Sequence, residues 1–294
     1  MFNGSITALV TPFTESGEID LAAFRSLVRF NLEQGSDGLV VAGTTGESVS
    51  LSRSELETLV EAALREADGQ MPVLAGVASA ATAEAEAKAR WAGALGVAGL
   101  LVVTPFYVRP MQAGLEAHFM AVADASPVPL LLYNVPARTG VDLLPETVAR
   151  LSAHRRIVGI KEATGSQGRV EELRARCGED FGVLSGDDAS VLGAMKSGAD
   201  GVISVAANVV PDRMHALCAA ADEQDWEEAE RLEGSLRPLF EALSRETNPI
   251  PVKWALFEMG RIGAALRLPM TPLAEEHRPA LQRALRDLGL IAVD

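Results

Sequence analysis

Three features of the sequence predict a (β/α)8 TIM barrel with a C-terminal helical appendage. Short runs rich in Val, Ile and Leu recur eight times with amphipathic stretches between them, the pattern of repeated βα units. These runs are apolar on both faces instead of alternating, as strands buried on both sides of a parallel sheet are. After the eighth run the β pattern stops and the text turns helical. A chain of 294 residues holds one barrel of about 250 residues plus a short extension. The expected division is residues 1–224 for the barrel and 225–294 for the helical region, with no linker between them.

The strands are expected at Ser5 to Thr11, Gly38 to Thr44, Pro72 to Val77, Gly99 to Thr104, Pro129 to Tyr133, Ile157 to Lys161, Gly182 to Ser185 and Gly201 to Val205. Helix signals lie between them: Asp20 opens one, Ser52 with Glu55 forms a capping box, and Pro145 occupies an N1 position, where its missing N–H costs nothing. Beyond Pro211 the clearest helical pieces are Asp225 to Leu243 and Val252 to Gly263. Asn248-Pro249-Ile250-Pro251 breaks the chain before the second piece, since each proline removes a donor and restrains its predecessor.

Composition narrows the function. The 40 acidic against 26 basic side chains leave a formal charge of −14, a surface that repels nucleic-acid phosphates and anionic lipid; neither is an expected partner. Met1 to Phe13 has no basic segment followed by an apolar run, and no window approaches the length of a membrane span, so a cytoplasmic protein is expected. Cys177 and Cys218 sit in helix-like stretches and read as reduced thiols. His118, His154, His215 and His277 form no ligand motif, and no metal site is expected.

In such barrels chemistry gathers at the C-terminal ends of the strands. Lys161 closes the run Ile157-Val158-Gly159-Ile160-Lys161, where partial desolvation favours a nucleophilic amine. A structural ion pair with Glu162 is the alternative, but neighbouring strand residues point to opposite faces, so Glu162 leaves the lumen if Lys161 enters it. The chain has four lysines among its 26 basic side chains, and only lysine forms an imine. Tyr133 ends the preceding strand, within reach of the same substrate, although a packed tyrosine fits equally well. Gly43-Thr44-Thr45-Gly46-Glu47 offers hydroxyls and backbone N–H groups to a small anion, or simply makes a capped turn. Arg138, just after Pro136, presents a fork for a carboxylate, or is merely solvated. The loops after strands seven and eight, Ser185-Gly186-Asp187-Asp188 and Val205-Ala206-Ala207-Asn208, carry acids and no base, which disfavours a phosphorylated substrate.

From end to end the chain resembles the dihydrodipicolinate synthase family, within the N-acetylneuraminate lyase superfamily. The resemblance rests on Thr7-Ala8-Leu9-Val10-Thr11-Pro12-Phe13, Gly43-Thr44-Thr45-Gly46-Glu47, Tyr133-Asn134-Val135-Pro136, Gly159-Ile160-Lys161-Glu162-Ala163-Thr164, Ser185-Gly186-Asp187-Asp188, Asn248-Pro249-Ile250-Pro251-Val252-Lys253 and Leu266-Arg267-Leu268-Pro269, in that order. It implies a Schiff base between Lys161 and pyruvate, proton relay by Tyr133, and Thr44 linking Tyr133 to a tyrosine, here Tyr107, donated by a neighbouring subunit. It further implies that Thr45, Gly186 and Ile203 hold pyruvate and that Arg138 orients L-aspartate 4-semialdehyde by its carboxylate. The implied product is 4-hydroxy-tetrahydrodipicolinate, in lysine and diaminopimelate biosynthesis, with no cofactor. The implied assembly is a homotetramer built from tight dimers. N-acetylneuraminate lyase or a keto-deoxy-sugar-acid aldolase would share Lys161 and Tyr133 but lack the carboxylate fork of Arg138, and a non-catalytic pyruvate-binding relative would not need the full set. In lysine-sensitive members an effector binds between subunits; here Ser48 and Glu84 match that pocket, whereas Ala80, Phe106, Arg53 and Leu56 replace its asparagine, tyrosine and histidines.

Overall fold

The structure is a computed structural model that describes residues 2–292. Eight parallel strands close into a barrel in chain order: β1 Gly4–Ala8, β2 Gly38–Val41, β3 Val73–Val77, β4 Gly99–Val103, β5 Leu130–Asn134, β6 Ile157–Glu162, β7 Gly182–Ser185 and β8 Gly201–Ser204. β8 returns to β1 with Ser5 opposite Val202. Every expected strand is present, but β1 and β2 end early. Ala42 turns to φ 55°, which takes the chain out of the ladder, and Val10 N–H donates to the Asn208 side chain at 3.0 Å instead of to a strand.

Strand parity sorts the side chains into two layers. Ile6, Ala8, Val40, Leu74, Leu101, Leu131, Tyr133, Leu184 and Ile203 fill the lumen. Leu39, Val41, Val73, Leu100, Leu132, Ile160 and Val183 face outward into the helical layer. Between β5 and β6 the ladder shifts by one residue: Leu130 lies opposite Ile157 but Leu131 opposite Gly159, leaving Val158 as the extra residue.

The helices are α1 Leu21–Glu33, α2 Arg53–Ala67, α3 Thr82–Ala94, α4 Gln112–Ala125, the short α5 Pro136–Thr139, α6 Pro145–Leu151, α7 Gln167–Cys177, α8 Val191–Lys196 and α9 Pro211–Asp222, followed by α10 Trp226–Leu243, α11 Ile250–Glu258 and α12 Arg278–Asp287. Asp20 caps α1 by accepting from Ala23 N–H at 2.9 Å. The Ser52–Glu55 box closes reciprocally on α2, and Pro145 lies in the first turn of α6. The prolines before α11 act differently from the expected break. Pro251 lies in its first turn, where no N–H is required, so the helix begins at Ile250, two residues early, and ends at Glu258 ahead of the left-handed Gly260.

One apolar cluster runs from the outer faces of the strands into the last helices, taking in Leu236, Leu239 and Phe240 of α10, Leu256 of α11 and Leu281 and Leu285 of α12. The C-terminal helices thereby share the barrel's core, and α11 comes to rest beside the barrel mouth. Among the described residues no helix is long and apolar enough to cross a membrane.

Candidate active site

Ile160 faces the helices, so Lys161 faces the lumen, and it is only 4% exposed. Its Cα partners are Tyr133 on β5 and Leu184 on β7, and its Nζ stands 4.5 Å from the centre of the Tyr133 ring. Among the described residues Lys161 has no carboxylate within ion-pair distance. Glu162, pointing outward, is taken up elsewhere: it accepts from Asn134 Nδ2 at 3.0 Å and Thr164 N–H at 2.7 Å. Burial raises the Glu162 carboxyl above its ordinary value against these bonds. The same Asn134 amide also donates to Asp142 at 2.7 Å, and Arg169 binds the other Asp142 oxygen at 2.7 Å. Burial would raise Asp142, but Arg169 and Asn134 outweigh it and hold the carboxyl below its usual value. A polar shell therefore fixes the outer side of β5 and β6 behind the lysine–tyrosine pair.

Above the pair opens a cavity of about 600 Å³ walled by Thr45, Tyr133, Arg138, Lys161, Gly186 and Asn248, among others. Gly186 is a glycine for reasons of space: a Cβ there would lie 2.7 Å from the Ala163 Cβ and 3.0 Å from the Lys161 Cε. Arg138 lies exposed at the rim and donates to the Asn248 carbonyl at 3.0 Å, while Asn248 Nδ2 donates to Thr45 Oγ1 at 2.9 Å. Thr44 faces an adjoining cavity of about 250 Å³ that shares Arg138 and Asn248 and is otherwise lined by residues such as Ser48, Phe106 and Leu268.

Two expected site residues line neither cavity. Ile203 is fully buried within the lumen cluster, below the position where Val205 lines the opening. Tyr107 is 91% exposed, on a left-handed backbone with φ 71°, and lines neither of the two cavities at the barrel mouth. Conversely, residue spacing gave no sign of Asn248, Glu241 and Glu246, which reach the cavity from the C-terminal region; the proline-flanked Asn248 motif was the only available signal. Asp188 also borders the cavity, with one oxygen accepting from Val205 and Ala206 N–H at 3.1 and 2.8 Å. Burial lifts its carboxyl above the ordinary range. Among the described residues no group of three or more His, Cys, Asp or Glu gathers as metal ligands do.

A lumen lysine against a phenol, at the base of a cavity rimmed by an arginine, defines the class of imine-forming lysine barrels. The family model described as the dihydrodipicolinate synthetase family matches residues 1–288. A 4-hydroxy-tetrahydrodipicolinate synthase of Alcanivorax borkumensis is 48% identical over 293 residues, covering 100% of both chains. Among solved structures, the chloride-inhibited dihydrodipicolinate synthase of Acinetobacter baumannii in complex with pyruvate superposes with a TM-score of 0.97 at 44% identity, over 99% of this chain and 100% of that one. The lysine-bound enzyme of Cyanidioschyzon merolae gives a TM-score of 0.96 at 38% identity, over 99% of each chain. The chain belongs to the dihydrodipicolinate synthetase family.

Proposed function

We propose that this chain condenses pyruvate with L-aspartate 4-semialdehyde to give 4-hydroxy-tetrahydrodipicolinate, a step of lysine and diaminopimelate biosynthesis. The observation that carries the reading is Lys161: a buried lumen lysine with no carboxylate partner among the described residues, against a phenol, at the floor of a cavity. Its Nζ adds to the pyruvate keto carbon and water leaves, forming an imine. Loss of a methyl proton then gives an enamine, with the imine serving as the electron sink. The enamine carbon attacks the semialdehyde, forming the new carbon–carbon bond and a hydroxyl. Finally the substrate's own amine adds to the imine carbon and releases Lys161.

The Tyr133 hydroxyl moves these protons, a role supported by the closeness of its ring, whose centre is 4.5 Å from Nζ. Thr44 passes the relay to Tyr107 of a second copy, which accounts for a tyrosine left 91% exposed in a single chain. Thr45 and Gly186 border the pyruvate position, with Ile203 beneath it, and Arg138 at the rim receives the semialdehyde carboxylate. A tetramer of tight dimers, working in the cytoplasm, completes the reading. The test is borohydride reduction with pyruvate. One reduced pyruvyl group per chain is expected, at Lys161; peptide mapping that found none, or found it on Lys88, Lys196 or Lys253, refutes the mechanism.

A further inference from the structure

The chain buries a second lysine that the reaction above does not use. Lys253, in α11, is 1% exposed, and its Nζ lies 2.6 Å from Oε1 of Glu47, itself 5% exposed. The ammonium also sits 4.4 Å over the Phe13 ring. Glu47 is the last residue of the Gly43–Glu47 turn, whose Thr45 borders the active cavity.

The backbone around this pair argues for more than packing. Glu47 is left-handed, with φ 55°, a conformation that costs energy in any residue but glycine and persists only where the surroundings enforce it. Its N–H closes the turn on the Thr44 carbonyl at 3.0 Å. Gly46, one residue earlier, is held through its carbonyl by Thr11 Oγ1 at 2.8 Å. The C-terminal region grips the turn twice: Asn248 holds the Thr45 hydroxyl at 2.9 Å and Lys253 holds the Glu47 carboxylate at 2.6 Å. These two anchors are joined by the first turn of α11, where Lys253 N–H bonds the Pro249 carbonyl at 3.0 Å. Thr45 is thus fixed between a direct bond and an ion pair two residues away.

We infer that Glu47 and Lys253 form a positioning pair for the pyruvate site, holding the Thr44–Thr45 turn in the shape that receives the substrate's carboxylate. This rests on the proposed reaction, in which that turn borders pyruvate. Neither side chain touches substrate; each acts through Thr45.

The inference is tested with Glu47→Gln, Lys253→Met and the double variant, using the pyruvate concentration that half-saturates borohydride trapping alongside the melting temperature. Each single change should raise the half-saturating pyruvate roughly 10-fold, as small displacements of binding groups do, while saturating pyruvate still labels one lysine per chain. The KM for the semialdehyde should change far less. Removing both charges relieves the uncompensated buried charge of either single variant. The double variant should therefore recover melting temperature yet keep the weakened pyruvate titration, a split that a merely structural pair does not give. If Lys253→Met does not fold, Glu47→Gln and the double variant decide the matter. Pyruvate titrations that follow melting temperature, recovering in the double variant or never departing from wild type, overturn the positioning role. A wild type that is not trapped at all refutes instead the reaction on which the inference rests.

Discussion

Replacing Gly186 by alanine tests the geometry of the nucleophile most directly. The added methyl would stand 2.7 Å from the Ala163 Cβ, 3.0 Å from the Lys161 Cε and 3.2 Å from the Glu162 carbonyl. Carbon atoms rest at about 3.5 to 4.0 Å, so the first two contacts are both too short. Ala163 cannot rotate away, having only its Cβ, and its N–H is bonded to the Asn134 carbonyl at 3.0 Å. Lys161 is the part that can move, by swinging its Cε away from β7. Overpacking of this kind costs about 1 to 3 kcal/mol of stability. A displacement of the amine approaching an ångström can cost roughly 100-fold in rate. Thermal unfolding of the Gly186→Ala variant should show the first effect, and the initial rate of borohydride-trapped adduct at fixed pyruvate the second. A variant that loses stability but forms adduct at the wild-type rate would refute the claim that this glycine exists to make room for Lys161.

Arg138→Ala should leave imine formation with pyruvate nearly intact while lowering turnover of the semialdehyde, since only the second substrate uses the guanidinium; loss of a charge-assisted pair of about 1.5 to 3 kcal/mol is roughly 10- to 150-fold. Equal loss of both steps in a trapping and turnover comparison would make Arg138 structural, for instance through its bond to the Asn248 carbonyl. Mixing inactive Tyr107→Phe with inactive Lys161→Ala should restore activity, because one site of a mixed dimer then receives both intact groups; no recovery after mass spectrometry has verified exchange would place the relay within one chain. Free L-lysine should inhibit weakly or not at all in an initial-rate titration. Two of the polar partners expected for it are missing, which weakens binding by roughly 100-fold at about 1.5 kcal/mol each. Glu84 is further occupied by Lys88 at 3.0 Å and Ser79 at 2.9 Å, and Arg53 stacks on Trp91 at 5.2 Å. Half-inhibition below about a millimolar would show a rebuilt pocket.

The barrel was legible because its information is local. Buried parallel strands write themselves as continuous apolar runs, and the parity that sends Lys161 inward and Glu162 outward follows from pleating alone. Caps at Asp20, Ser52 and Pro145 were legible for the same reason. What stayed hidden depends on contacts across the whole chain. Asn248 meets Thr45 and Lys253 meets Glu47 over separations of 203 and 206 residues, which no spacing rule encodes. The early end of β2 hides in Ala42, an ordinary residue that takes φ 55° without a glycine to announce it. The role proposed for Tyr107 rests on resemblance alone, since among the described residues no side chain pairs with it.

The one-residue shift between β5 and β6 makes the location of the chemistry a matter of counting. Below the shift Leu130 faces Ile157; above it Tyr133 faces Lys161. Continued without the shift, the pairing that starts at Leu130 and Ile157 would set Val158 opposite Leu131 and Ile160 opposite Tyr133, sending Lys161 toward the helices. Deleting Val158 removes no charge, no hydrogen-bonding side chain and no catalytic atom. It would leave Tyr133 opposite Lys161 and Lys161 in the lumen, because the residues on either side of Val158 already pair in step with β5. One residue gained or lost above the bulge, between Gly159 and Lys161, would by contrast turn the lysine out of the lumen, so the bulge is the one point on β6 where a change of length leaves the chemistry in place.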